Sequence, residues 1–477
     1  MGRAARAGSR LARVGGGSSL PGLLAEGIAP GVVAEIVGRS HCRAVVVTGS
    51  NGKTTACRLI TQALLKEGLR VAGNASGANM PAGVASAVIG ASSLSGRLSA
   101  DLLVLEVDEA SMRCVVPEVA PAAVVVTNCF KDQLDRYGEV DTTLSLIRQA
   151  TDKLSARSVL ILNADDPLVA DLARTARCKS LFFSVEPQKQ KIASTPSGPC
   201  TGGDPAAAGA RDAVNCLVCG AHYDYEYTIL GHLGRYTCPK CGASHPRAHF
   251  VARDLAERPG SLWSFTLEAP DSFGGQPGGA RIALDVSLAI PGLYNVYNAL
   301  AAGACALALG ASERAVAEGI KGTHSAFGRM EQMMIGQVRV RLILVKNPVG
   351  LSEVAKSVAL DESIGAILMC LNDRYADGRD VSWIWDADLR ALVSRFPRIR
   401  TLVCSGTRAW DMALRLKYAG VAQERIACEP SIGRALERTL ASVKPGETLA
   451  ILPTYTAMLD VRERMRRRAH LPEFWRS

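Results

Sequence analysis

The sequence predicts an α/β protein in two unequal parts. One is a central P-loop domain on a parallel sheet, carrying an inserted four-cysteine zinc ribbon; the other is a smaller, Rossmann-like α/β domain at the C-terminal end. Three observations carry that expectation. From residue 41, short apolar runs alternate with helix-compatible segments, the pattern of a sheet covered on both faces. A glycine-rich segment ending in Lys-Thr-Thr lies between the first apolar run and the first helical one. Two Cys-x-x-Cys pairs interrupt the alternation, which resumes near Arg329.

Residues 43–47 are a short apolar run ending in a tight turn, and 54–66 has helical spacing with Leu59, Ile60, Ala63 and Leu64 on one side. Residues 102–107, 124–127, 159–162 and 181–184 are further strand-like runs, with helix-compatible segments at 81–89 and 142–154. Residues 186–213, rich in Pro, Gly, Ala and Ser, read as a linker, and 268–280 as a second loose stretch. The Cys-rich insert lies between them at 214–245, and 300–309 reads as a buried Ala-rich helix. Beyond it, 338–345, 366–371, 400–404 and 448–452 read as strands, and 387–395 and 408–418 as helices. The expected division is a basic N-terminal segment at 1–40, a central domain at 41–328 and a C-terminal domain at 329–477.

At 477 residues, 48% hydrophobic and 21% charged, the chain has material for several cores, which excludes disorder as its main state. The most apolar long stretch, 293–311, is interrupted by Asn295 and Asn298, which argues against a membrane span. No secretory signal is evident, and 14 cysteines in so long a chain are expected as reduced thiols in the cytoplasm. The net charge of +10 points to an anionic partner: nucleic acid, nucleotide phosphate or an anionic membrane. Part of it is terminal, in Arg3, Arg6, Arg10 and Arg13 and in Arg462, Arg464, Arg466, Arg467 and Arg468 beside Phe474 and Trp475. Two readings of these ends stay open: solvated helix faces, or reversible contact with acidic lipid at the inner face of a cell membrane. A transit peptide fits the first segment less well.

The strongest motif is Thr48-Gly49-Ser50-Asn51-Gly52-Lys53-Thr54-Thr55. Its glycines let the backbone N–H groups of the loop turn toward phosphate oxygens, and the helix N-terminus adds partial positive charge. Lys53 is expected to reach the β- and γ-phosphates of ATP and Thr54 to hold Mg²⁺. The loop is a variant, because Val47 stands where the usual pattern has its first Gly. A chance Gly-rich turn would not bring strand, Lys-Thr-Thr and helix together. Glu106, at the end of the 102–107 run, is the expected metal ligand, with Asp108 and Glu109 nearby. The bland alternative is a solvated acidic turn.

Cys216, Cys219, Cys238 and Cys241 form two Cys-x-x-Cys knuckles separated by eighteen residues, each followed by a glycine. That spacing sets four thiolates around one Zn²⁺ with no open position, so the expected site is structural. His222, His232 and His245 are alternative ligands that the quartet does not need. A nucleic-acid-binding ribbon is disfavoured, because Asp224 and Glu226 accompany a single Arg235 between the knuckles.

Together these motifs resemble the Mur ligase superfamily, the ATP-dependent amide-forming enzymes of cell-wall synthesis. Residues 48–55 are similar to its phosphate loop and 106–111 to its metal-binding strand end. Thr127-Asn128, Asn163-Ala164-Asp165-Asp166, Tyr294-Asn295-Val296-Tyr297-Asn298 and Gly328-Arg329-Met330-Glu331 follow in the family's order. The four-cysteine insert, residues 77–80, Lys346-Asn347-Pro348, Leu371-Asn372-Asp373, 376–383 and 453–457 are similar to the branch that serves as a ligase-like subunit beside a glutaminase. The likeness runs over roughly residues 20–460.

The resemblance implies a GatD-type class I glutaminase partner that releases ammonia from glutamine. It also implies ATP-dependent activation, and amidation, of the D-glutamate α-carboxylate of membrane-bound lipid II. Carried over by motif, Thr54 and Glu106 serve Mg-ATP, Asn295 and Asn298 belong to the adenine-side segment with Asn298 meeting the base, and Arg329 reaches the nucleotide. Asp380 would complete the glutaminase's Cys–His pair as its third member. Without the resemblance, Asp380 reads first as a cap of the following helix.

Departures touch the second metal site. Gln133 stands where many Mur ligases have a histidine, and Ala150 where many have a carbamylated lysine, with Lys153 only a near neighbour. The rival readings are a stand-alone ligase of Mur or folylpolyglutamate type, a zinc-ribbon nucleic-acid protein and a degenerate scaffold. The motifs around Asn298 and Arg329 disfavour the second, and an intact Lys53, Thr54 and Glu106 the third.

Overall fold

A computed structural model describes residues 19–74, 77–93, 95–131, 140–187, 212–258, 262–270, 281–323, 329–395 and 398–469. The N-terminal arginines, Gln133, most of the 186–213 stretch, Gly328, Phe474 and Trp475 lie outside them.

The strands are β1 (Arg43–Thr48), β2 (Val71–Gly73), β3 (Leu102–Glu106), β4 (Ala123–Val126), β5 (Val159–Asn163), β6 (Lys179–Val185), β7 (Asp224–Leu230), β8 (Leu233–Thr237), β9 (Phe250–Arg258), β10 (Leu262–Pro270) and β11 (Arg281–Ser287) in the first of two compact units. The second unit holds β12 (Arg329–Ile335), β13 (Val338–Ile343), β14 (Ile364–Cys370), β15 (Thr401–Ser405), β16 (Ile426–Cys428) and β17 (Thr448–Pro453).

Among the described residues the first unit has a nine-stranded sheet in the order β11-β10-β9-β6-β5-β4-β1-β3-β2. From β2 to β9 the pairing is parallel, which the apolar runs predict: β1, β3 and β4 are buried almost throughout. Alternate residues Val46, Leu103, Leu105, Val124, Val126, Leu160 and Leu162 share one core with Ile147 and Ala150 of the helix Val140–Thr151.

The sheet then departs from expectation. β10 and β11 add antiparallel to β9, and residues 268–270 of the supposed loose stretch are the end of β10. The reason is the alternation in Leu262–Pro270, where Phe265, Leu267 and Ala269 point inward between half-exposed neighbours, as in a sheet with one wet face. The hairpin β7–β8 is the insert, placed in the crossover between the adjacent strands β6 and β9. Two helices, Leu20–Ile28 and Val32–Gly38, precede β1 where the sequence shows only a basic segment.

The second unit has a six-stranded sheet, β12-β13-β17-β14-β15-β16, parallel except for β12 against β13. Ile367 and Met369 face one core and Ala366, Leu368 and Cys370 the other, so β14 is covered on both sides. The helix Tyr455–Ala469 corrects part of the basic C-terminal cluster. Arg462 is buried and pairs with Glu331 at 3.2 Å, and Arg466 pairs with Glu463 at 3.1 Å, so neither is a spare surface charge. No single described helix is long and apolar enough to cross a membrane.

Helix packing on the phosphate-loop side is close enough to exclude a methyl group. A Cβ on Gly319, in the helix Glu313–Lys321, would lie 2.5 Å from the Ala63 backbone in the helix Lys53–Lys66. Gly319→Ala is expected to destabilise by about 1–2 kcal/mol, overpacking outweighing the gain in helix propensity. Gly27→Ala, where nothing lies within 4 Å, is expected to stabilise by about 0.5 kcal/mol. Urea denaturation midpoints of the two variants should move in opposite directions.

Candidate active site

The phosphate loop opens at the carboxyl end of β1, which β3 and β4 flank, where open α/β sheets bind ligands. Its backbone depends on two glycines with positive φ, Gly49 at +124° and Gly52 at +87°. Neither has room for a side chain: a Cβ would stand 2.3 Å from Thr127 Oγ1 at Gly49 and 1.9 Å from Asn298 Oδ1 at Gly52. The loop is sewn to the turn after β4. Asn51 N–H donates to Asn128 Oδ1 (2.8 Å), and Thr127 Oγ1 donates to Asn51 O (2.7 Å). Ser50 N–H donates to Asn128 O (3.0 Å), while Ser50 Oγ donates to Phe130 O and accepts from Phe130 N–H, both at 2.9 Å. The N-cap of the helix Lys53–Lys66 is Gly52, which has no side chain to occupy that end, and this suits an anion there. Lys53, Thr54 and Thr55 are all buried at that end.

Lys53 is held. Its Nζ donates to Gly49 O and to Glu109 Oε1, each at 2.7 Å. Burial pushes the Glu109 carboxyl above its usual range against the pull of Lys53. The pair keeps the lysine aimed along the loop, with a carboxylate in contact where a phosphate would compete. Glu106 lies on the strand beside, in register with Val47, and is buried. Asn74 clips its backbone on both sides (2.8 and 2.7 Å), and Asn79 Nδ2 approaches its carboxylate at 3.4 Å. Asn295 and Asn298 are buried in the helix Tyr294–Ala308; Asn298 Nδ2 donates to Asn295 Oδ1 (2.9 Å), and its oxygen rests against Gly52.

Behind the loop lie Asp165 and Asp166, both fully buried. Asp165 accepts from Ser184 Oγ (2.6 Å), Val185 N–H (3.0 Å), Tyr297 OH (2.8 Å) and His245 Nε2 (2.8 Å). Asp166 accepts from Cys129 N–H (2.8 Å), Leu168 N–H (3.0 Å) and Val169 N–H (3.3 Å), and His232 Nε2 stands 3.2 Å from it. His232 and His245 therefore face carboxylates, which removes both from the alternative metal ligands. Burial and the Asp165 charge push the Tyr297 phenol well above its usual range, so it donates.

The sulfurs of Cys216, Cys219, Cys238 and Cys241 all lie within 4.8 Å of one another. Cys216–Cys241 is 3.6 Å and Cys219–Cys238 3.5 Å, near the edge of about 3.8 Å that a tetrahedron with Zn–S bonds of about 2.3 Å requires. Gly220 (φ +74°) and Gly242 (φ +75°) close the knuckles. Burial opposes ionisation of Cys216, yet the Val218 and Cys219 amides bring its thiol down to about 6. The cluster is arranged to hold a metal ion, and a sulfur-only tetrahedron fits zinc. The chain is expected to purify with one zinc per molecule by elemental analysis, and Cys216→Ser to lose it.

In the second unit, loops at the carboxyl ends of the strands are tied together. Asn372 N–H donates to Thr454 Oγ1 (3.0 Å), its Nδ2 to Thr456 Oγ1 (2.9 Å), and its Oδ1 accepts from Thr407 N–H (3.1 Å). Asp377, whose carboxyl burial pushes up, accepts from Thr456 N–H at 2.7 Å. This frame carries the turn through Gly378 (φ +84°) to Asp380. Asp380 is half-exposed; its Oδ1 accepts from Ser382 N–H (2.8 Å), and its Oδ2 has no partner among the described residues. Asn347 caps the helix Pro348–Leu360 by accepting from Gly350 N–H (2.8 Å). Arg329 begins β12 opposite Ile343; its side chain is outside the described residues.

A family model for the Mur ligase middle domain matches residues 47–199, and one for the MurT ligase C-terminal region matches 344–458. The MurT subunit of lipid II isoglutaminyl synthase (glutamine-hydrolyzing) from Streptococcus pneumoniae is 33% identical over 457 residues, 95% of this chain and 93% of that one. The chain belongs to the MurT family. The MurT subunit from Staphylococcus aureus strain N315 is 30% identical over 451 residues, 94% of this chain and 93% of its own. Among solved structures, a pseudomurein peptide ligase type C from Methanothermus fervidus superposes with a TM-score of 0.64 at 21% identity, covering 89% of this chain and 78% of its own. MurF from Thermotoga maritima in complex with ADP gives 0.60 at 14% identity, covering 91% and 82%. These two support the Mur ligase fold.

The first unit thus brings the phosphate-loop residues, Glu106, Asn295 and Asn298 into one neighbourhood, and Asp380 stands in the other unit. Three features were missed by reading the sequence: Glu109 on Lys53, the Asn74 and Asn79 amides around Glu106, and the histidine–aspartate pairs. Only the acidic run at 106–109 gave any signal for the first. Gly52→Ala, which forces both strain and a clash with Asn298, is expected to weaken ATP binding about a hundredfold, near the upper end of what one strained position costs. Titration calorimetry with Mg-ATP would read it.

Proposed function

We propose that this chain is the ligase subunit of a glutamine-dependent lipid II amidating enzyme, which converts the stem-peptide D-glutamate α-carboxylate to the amide. The observation that carries the reading is the joint presence of an intact phosphate-loop site and an Asp380 carboxylate with one oxygen free, in a chain matching MurT subunits along nearly its whole length.

The chemistry follows from the residues. A carboxylate is a poor electrophile. Transfer of the γ-phosphoryl group of ATP to the substrate oxygen gives an acyl phosphate and ADP. Ammonia then attacks the carbonyl carbon, phosphate leaves with the C–O bond electrons, and the nitrogen loses a proton. Lys53, freed from Glu109 by the incoming phosphates, offsets charge on the transferred group, as do the loop amides. Thr54 and Glu106 would hold Mg²⁺, which would supply positive charge to the phosphates. Asn295 and Asn298 would face the adenine side, and Arg329 would reach the nucleotide from the C-terminal domain. Asp380 would orient the histidine of a GatD-type class I glutaminase, using the oxygen that Ser382 does not occupy. The four-cysteine site would be filled by structural zinc. Work on a lipid-linked substrate would place the protein, in the cytoplasm, at the inner face of the membrane.

Mass spectrometry of lipid II incubated with this chain, its glutaminase, ATP, Mg²⁺ and glutamine should show one carboxyl converted to carboxamide. Asp380→Asn should lower glutamine-dependent product by at least about a thousandfold, the scale for a triad acid, and ammonium should restore it. An Asp380→Asn variant that is equally dead with ammonium would remove Asp380 from glutamine hydrolysis. No amidation, with ATP turnover stimulated by an amino acid, would instead make the chain a stand-alone ligase.

A further inference from the structure

The four-cysteine insert is too well docked to be a bystander. Its hairpin sends His232, fully buried, from the turn between β7 and β8 to within 3.2 Å of Asp166, where neither ring nitrogen makes a hydrogen bond among the described residues, and the His232 ring packs on Phe130 with centroids 4.7 Å apart. Phe130 is the residue whose backbone N–H and C=O both bond the Ser50 hydroxyl of the phosphate loop. From the second knuckle, His245 reaches Asp165, and Gly234 N–H of β8 donates to Asp165 O (2.8 Å). Asp165 in turn receives Tyr297 OH, one residue from Asn298, which lies on Gly52. Asp166 also fixes Cys129 N–H, beside the Asn128 that bonds Asn51. Two short paths therefore run from the insert to the two halves of the phosphate loop, one from the second knuckle through His245 and one from the hairpin turn through His232.

The cluster sets the metal-side end of the His245 path, and the β7–β8 pairing carries the hairpin turn that holds His232. Cys238 N–H donates to Ala243 O (2.7 Å) and His245 N–H to Tyr236 O (3.0 Å), so the knuckle fold places His245; Tyr236 packs edge-on to His245 at 5.9 Å. Leu217 of the first knuckle packs against the same core as β1 and β3. A ribbon whose only role was to fold its own residues would not need two histidines, one of them fully buried, set against carboxylates behind the nucleotide loop.

We propose that the ribbon is a positioning element for the nucleotide site, acting through His232 on Asp166 and Phe130 and through His245 on Asp165 and Tyr297. Neither histidine touches nucleotide; each acts through the residues that hold Ser50, Asn51 and Gly52. Metal loading and ATP binding are then coupled, and coupling is reciprocal. The inference rests on ATP binding at the phosphate loop but not on which substrate is amidated.

The test uses the full chain with its zinc. His232→Ala and His245→Ala are made singly, with Arg235→Ala as the ribbon control, since Arg235 is exposed and pairs only with Glu226 within the hairpin. Zinc content is measured by elemental analysis and Kd for Mg-ATP by calorimetry. Each histidine variant should keep its zinc and bind ATP about tenfold more weakly, the scale of mutations along a coupling network, while Arg235→Ala binds within about twofold of the native chain. A variant that holds zinc and binds ATP like the native chain would overturn the proposal, because a purely structural role lowers thermal stability and leaves Kd alone.

A second measurement needs no variant. Competition of the native chain with the chelator 4-(2-pyridylazo)resorcinol should show tighter zinc binding in saturating Mg-ATP, by several-fold. If a histidine variant fails to fold or loses its zinc, this measurement decides alone, and zinc affinity indifferent to ATP sinks the coupling. A native chain that binds no ATP would sink the nucleotide reading and this proposal together, a result distinct from normal ATP binding without coupling.

Discussion

Two neighbouring carboxylates buried behind the phosphate loop constrain the rest of the first unit. An ionised group taken out of water is tolerated only when donors replace the lost hydration, and removing one partner leaves the other exposed to the full penalty. Asp165 and Asp166 meet that demand with donors from far along the chain: Cys129 after β4, Ser184 and Val185 at the end of β6, His245 of the insert and Tyr297 of the helix Tyr294–Ala308. The segments that must be in place for these two side chains to be satisfied are the ones that shape the nucleotide site. A loop that turns on two positive-φ glycines is thereby backed by a hydrogen-bonded network.

The second unit solves a similar problem mostly with neutral groups. Its polar frame uses Asn372, Thr407, Thr454 and Thr456 with two acids, Asp373 and Asp377, at the carboxyl edge of a parallel sheet. The loops it ties are short, and every donor lies within hydrogen-bond reach of a strand end. What it presents is an acid left half satisfied. Ser382 N–H occupies one oxygen of Asp380, while the short helix that follows has Val381 as its N-cap, so Asp380 does not cap it as the first reading of the sequence expects.

Much of this was legible in the sequence. β1, β3, β4, β5 and β14 follow from apolar runs because parallel strands are buried on both faces and need no register to be recognised. The phosphate loop and the cysteine quartet follow from local spacing, since a few residues within one turn decide each. β10 was partly hidden because Pro270 and the Gly-rich run after it look like punctuation, while its alternation matters only once β9 is beside it. The histidine–aspartate pairs were not legible. They join residues 66 to 80 positions apart, and an isolated histidine near cysteines looks first like a metal ligand.

The same reasoning bears on how charge is handled during phosphoryl transfer. Ala150, which the family resemblance sets at the place of a carbamylated lysine, is fully buried in the core formed by Leu144, Ile147 and the strands, so a charged side chain there would be expelled from its setting. Lys153 lies past the end of that helix and is exposed, so it does not replace the missing group. On the function proposed above, neutralisation of the transferred phosphoryl group falls to the loop amides, to Lys53, which Glu109 holds, and to the Mg²⁺ that Glu106 would hold, at the ends of β1 and β3. That places unusual weight on the Lys53–Glu109 pair. Its carboxylate must hold the lysine ready without binding it so tightly that phosphate cannot displace it, and burial, which raises the cost of the Glu109 charge, weakens the competitor in the required direction.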